Sequence, residues 1–152
     1  MTVSTVEARG RILADLAAAI AQLGFGTACL GEAYEQLDDA TGERLEDNLF
    51  RPLQRALGRA KRTQTSFAQR FGLDAPSLAT ATPGVASQGV KTFITRAVTA
   101  AGEADRRIAD LQDSMLPIEA GDPELRAGLA EVREQLAGVP AASEAFLRTF
   151  GR

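Results

Sequence analysis

Four arginines, Arg51, Arg55, Arg59 and Arg62, follow one another at spacings of four, four and three residues. On an α-helix that spacing lines them along one stripe. They belong to a segment, 48–73, that also holds Lys61 and Arg70 and contains no acid. The residues just before it are the opposite: Glu32, Glu35, Asp38, Asp39, Glu43, Glu46 and Asp47 stand against Arg44 alone. Residues 103–124 turn acidic again. A guanidinium stripe does one kind of chemistry, which is to hold anions. Two readings stay open. The stripe is an anion-binding face for acidic lipid, nucleic acid or an acidic partner, each basic residue near an anionic membrane being worth about 1 kcal/mol. Alternatively, an antiparallel neighbour carrying Asp105, Asp110 or Asp113 neutralises it within the chain. Nucleic acid is the poorest ligand: the net charge is −3 and no aromatic residues interleave with the arginines to stack bases.

Other chemistry is excluded by what is missing. The 152 residues contain no histidine, no tryptophan and one cysteine. Histidine-ligated metals, a Ser-His-Asp triad and a Cys-His pair all fall away. No convergent set of polar residues marks an enzyme, and the chain is read as non-enzymatic, with no metal and no cofactor. Cys29 reads as a buried structural thiol, since nothing basic stands near to activate it. Glu32, Glu35, Asp38 and Asp39 read as a solvated helix face before they read as a cation site. Gly24, Gly26 and Gly31 follow no strand and do not form a phosphate loop. Tyr34, the one tyrosine, falls on an apolar seam and is expected in the core with its hydroxyl at the edge. A lone cysteine fits a reducing, cytoplasmic compartment. No apolar run approaches the ~20 residues of a membrane span, and the N-terminus is too charged for a signal peptide.

The elements that must position the stripe are helices. Ser4 and Glu7 form a capping box. From there Leu13, Leu16, Ile20, Leu23, Thr27, Leu30, Tyr34 and Leu37 alternate steps of three and four. Beside this seam runs a second stripe of small residues, Gly10, Ala14, Ala17, Ala21, Gly24, Ala28 and Gly31. Small side chains let another helix backbone approach closely, so Ala17, Ala21, Gly24, Ala28 and Gly31 are the expected self-association surface. A second helix spans about 43–71, with Pro52 expected to kink it and Gly72 to end it. Residues 72–84 form a loop, and Pro83 is expected at the first position of a third helix capped by Thr82. That helix carries Val90, Ile94, Ala97, Ala101, Ala104, Ile108, Leu111 and Met115. Asp122 and Pro123 open the last helix, where Pro140 introduces a kink. There is no strand alternation. The chain is therefore one all-α domain, 1–152, of long antiparallel helices. It is an up-down four-helix bundle if the chain turns at 38–43 and 117–122. It is an elongated hairpin that must dimerise if it only bends there.

Several pieces resemble a known family. Phe25-Gly26, Leu30-Gly31-Glu32-Ala33 and Phe50-Arg51-Pro52-Leu53-Gln54 resemble the second long helix of BAR domains of the endophilin and amphiphysin type. The segment 114–136 is similar to the third helix of that family. The resemblance implies a crescent-shaped homodimer that binds anionic phospholipid membranes peripherally, on the inner face of a membrane. Its implied membrane-binding residues are Arg55, Arg59, Lys61, Arg62 and Arg70, with Lys91 and Arg96 returning from the hairpin tip; Arg51 joins them as the first arginine of the stripe. The alternative is a soluble four-helix bundle that acts as a protein-interaction or regulatory module with no membrane role.

Overall fold

The structure, a computed structural model, describes residues 4–150. It is a bundle of four helical rods, with no strand among the described residues. The first rod is α1 (Thr5–Glu35). The second is continuous: α2 (Asp39–Leu45), one π turn (Glu46–Phe50) and α3 (Arg51–Arg70). The third is α4 (Val90–Asp113). After the short α5 (Leu116–Glu119), the fourth is built from α6 (Pro123–Leu136) and α7 (Val139–Phe150).

Most local signals act as expected. Ser4 Oγ accepts the Glu7 N–H at 3.1 Å. Asp122 Oδ1 accepts the Leu125 N–H at 2.8 Å, with Pro123 opening α6. Gly72 takes the left-handed conformation, φ 63°, that ends α3. Pro52 is accommodated differently from a simple kink. Its missing N–H and the crowding of its ring fall where the π turn widens the ladder, and the helix continues through it. Pro140 sits in the first turn of α7, after the interruption at 137–138. The third helix departs most. It begins at Val90 after Gly89, not at Pro83. Residues 74–85 hold few large apolar side chains, so a helix begun there would have little to seat in the core.

Contacts fix the register. Gln64 Nε2 donates to the Leu13 carbonyl at 3.3 Å, Leu53 faces Gly26, and the Tyr34 ring lies against Gly42. The second rod therefore runs antiparallel to α1, and residues 36–38 are a true reversal. Gly26 also faces the Ala97 carbonyl, while Gln36 Nε2 reaches the Ala86 carbonyl at 2.9 Å. Thus α4 is antiparallel to α1 as well, and parallel to α3. The link 71–89 consequently travels the length of the bundle as a strap. Thr80 lies on Gly24, and the Pro76 carbonyl accepts from Gln64 at 3.3 Å. The fourth rod returns antiparallel to both α3 and α4, with Arg70 on Asp122 and Arg133 on Asp105.

The core follows the expected seams except at Tyr34, Met115 and Phe150, which closes the seam of the last helix and is exposed at its end. In α1 the centre of the buried face is Ile12, Leu16, Ala19, Leu23, Gly26, Leu30 and Ala33. Tyr34, expected in the core, is 43% exposed, because α1 ends one residue later and the ring closes over the start of α2. Met115, expected on the α4 seam, is 47% exposed and left-handed at φ 67°, where the chain turns out of α4. Contrary to the expectation from short apolar runs, α1 is long and apolar enough by composition to cross a membrane. Here its buried side forms one wall of the core.

Two glycines give opposite expectations. A Cβ on Gly128 would collide with the side chain of Thr63, which is buried and hydrogen-bonded to the Arg59 carbonyl. Gly102 faces open space. In urea unfolding, Gly128→Ala should destabilise by about 1–3 kcal/mol through overpacking. Gly102→Ala should stabilise by up to about 1 kcal/mol through helix propensity.

Candidate anion-binding groove

The arginine stripe is real as geometry. The α3 helix presents Arg51, Arg55, Arg59 and Arg62 along one edge of a groove of about 660 Å³, open to solvent between α3 and α6. The opposite edge is acidic. Glu131 and Glu134 rise from α6, and Gln54 and Gln135 complete the lining. Two glycines make the shape: Gly58 leaves space in the floor, and Gly128 lets α6 approach α3 closely.

Half of the expected basic cluster is neutralised within the chain. Arg59 pairs with Glu131 and also reaches Thr63 Oγ1 at 3.3 Å. Arg70 grips Asp122 through two bonds, at 2.6 and 2.8 Å, and contacts Glu124 at 2.7 Å. Arg51 pairs with Asp47 at 3.0 Å and Glu46 at 3.8 Å. Arg55, Lys61 and Arg62 are exposed and make no ion pair among the described residues. Internal pairing was one of the two readings of the stripe, but its expected partners are corrected. Asp105 pairs with Arg133, and neither Asp110 nor Asp113 pairs with the stripe. The cause is the strap: it sets α4 parallel to α3, so the antiparallel neighbour that meets the arginines is α6.

The remaining basic residues are dispersed. Lys61 projects from α3 away from the groove, two residues and about half a turn from Arg59. Lys91 is exposed at the start of α4. Arg96 lies on the opposite side of the bundle, between α1 and the strap, donating to the Pro83 carbonyl at 2.8 Å and to Gln88 Oε1 at 2.6 Å. The structure therefore does not gather Lys91 and Arg96 with the stripe. The small-residue surface is also placed in detail. Ala17 is buried, and Ala21, Gly24, Ala28 and Gly31 are half-buried. The strap covers Gly24 through Thr80, and Phe50 faces Gly31. Cys29 is fully buried, and burial pushes its thiol pKa up.

The geometry of the groove offers charge recognition. No group of three or more metal-ligating side chains occurs among the described residues. Comparison with family models, with curated proteins and with solved structures finds no match. The acidic wall of the groove was missed at the sequence level, although a signal existed. Glu131 and Glu134 stand three residues apart, with Gln135 at four, so they share one helical face.

Arg70 and Asp122 tie the end of α3 to the start of α6. The guanidinium beside it, joined by the Leu125 N–H, holds the Asp122 carboxyl below the usual carboxylate range. A carboxyl lowered in the fold adds stability that is present above its ordinary pKa near 4 and is lost as pH falls through the lower folded value. Asp122→Ala should therefore cost about 1–2 kcal/mol at neutral pH, from the lost cap and ion pair. In urea titrations the gap between variant and parent should narrow steadily below pH 4.

Proposed function

We propose that the protein is a non-enzymatic helical-bundle module that binds another protein through the α3 side of the bundle, and that it has no membrane role. The observation that carries this reading is the mixture of charge around the stripe. Arg51, Arg55, Arg59 and Arg62 share one surface with Asp47, Glu131 and Glu134. An anionic bilayer is a plane of a single sign and is attracted by clusters of basic residues. Here Asp47, Glu131 and Glu134 come to the plane along with the arginines, so repulsion offsets part of the attraction. A protein surface is different, because it can place its own acids and bases in register with an alternating pattern.

Two further observations support the choice. The chain reverses at 36–38 and again before α6, so no rod exceeds about 32 residues, roughly 48 Å, within a four-rod bundle. The membrane reading drew on Lys91 and Arg96 to extend the stripe, and Arg96 is engaged by the strap on the other side.

The test is co-sedimentation with phosphatidylserine/phosphatidylcholine vesicles at low and physiological salt. The expected result is no pelleting above that with neutral vesicles, and no change on replacing Arg55, Arg59 and Arg62 by Glu. Salt-sensitive pelleting that this triple variant abolishes, in a protein that keeps its helical spectrum, would overturn the reading in favour of a peripheral membrane protein.

A further inference from the structure

We infer that the outward ridge of the second rod is where a second copy of this chain docks, antiparallel, about a twofold axis near Arg51. This names the partner for the interaction surface proposed above and rests on that reading. The ridge is divided by sign. Its first half carries Asp39, Glu43 and Asp47, and its second half carries Arg55 and Arg62, all exposed. None of these five except Asp47 forms an ion pair among the described residues.

The π turn puts both halves on one face. In an unbroken α-helix Glu43 and Asp47 would drift around the rod relative to Arg55 and Arg62. The Arg51 N–H instead bonds the Glu46 carbonyl five residues back, and this wider turn swings the acidic half round into line. The contacts of Arg51 record that alignment, since its guanidinium reaches acids both four and five residues earlier.

The spacing then fits a twofold. Asp47 and Arg55 stand four residues before and after Arg51, roughly 6 Å each way along the rod. Glu43 and Arg62 stand eight and eleven residues away, roughly 12 and 16 Å, a mismatch within the reach of an arginine side chain. Antiparallel docking places Asp47 of one copy opposite Arg55 of the other and Glu43 opposite Arg62, and each pair occurs twice by symmetry. Parallel docking would set like charge against like. The one residue brought near its own symmetry mate is Arg51, and Asp47 and Glu46 of its own chain already neutralise it. No large apolar side chain is exposed on this ridge, so association is electrostatic and falls with salt.

The test is sedimentation equilibrium of the full chain from micromolar to near-millimolar concentration. The expected result is a dimer whose dissociation constant rises steeply from about 0.1 M to about 1 M salt, as the screening length falls from about 10 Å to about 3 Å. Asp47→Arg and Arg55→Glu should each weaken the dimer about tenfold or more, since each change breaks two symmetric contacts. The combined Asp47→Arg/Arg55→Glu variant restores opposite charges across the axis and should recover most of that loss. Circular dichroism checks that each variant folds, and Arg55→Gln gives a milder intermediate step. A monomer throughout, a dimer indifferent to both reversals, or a double variant no better than the singles would each overturn the inference. Those results leave the vesicle experiment unaffected, so failure of this interface is distinguishable from failure of the protein-binding reading.

Discussion

A helix that is apolar nearly all the way round has to be covered nearly all the way round. In this bundle α1 imposes that demand, with two adjacent stripes, one of large side chains and one of small, over 31 residues. Two antiparallel rods meet it on two sides. Leu53 from α3 and the Ala97 carbonyl from α4 both close on Gly26, a contact that a larger residue would prevent. The third side is closed by the chain itself, as residues 71–89 return across Gly24. That return decides the wiring. Because the strap travels the whole length of the bundle, α4 enters in the same direction as α3, and α6 becomes the neighbour of the arginine stripe.

The surface electrostatics follow from that order. Acids of α6 meet bases of α3 because the strap placed the two helices side by side. Individually such pairs are weak when exposed. The Arg70–Asp122 contact is different, because it is bidentate, partly buried and shared with the cap of α6. It pins one end of the groove, while Arg55 and Arg62 keep their charge available to a partner.

Much of this was legible in the residues. Apolar spacing located the rods, and Ser4, Gly72, Asp122 and Pro123 marked ends through local chemistry that needs no tertiary context. The seam read for α4, from Val90 to Leu111, is buried throughout. The direction of α4 was not legible, since periodicity says which face is buried and nothing about what buries it. Pro83 looked like a helix start because a proline in the first turn is locally favourable, but no apolar face followed for that helix to bury. Tyr34 and Met115 both lie on correct helical phases and fail for one reason, that the helix ends beside them. For the site, the stripe itself was readable. Which arginines remain unpaired depended on the identity of the neighbouring helix, and so on the strap.

The strap also divides the molecule by the range of its contacts. Within α1 to α3, and again within α4 to α7, antiparallel neighbours are joined by short turns and close quickly at small sequence separation. Joining α1 to α4, and α3 to α6, must bring together segments separated by both a whole rod and the strap, so loop closure costs more along these seams than within either hairpin. The bundle is thus two helical hairpins, α1 to α3 and α4 to α7, joined along seams of large sequence separation.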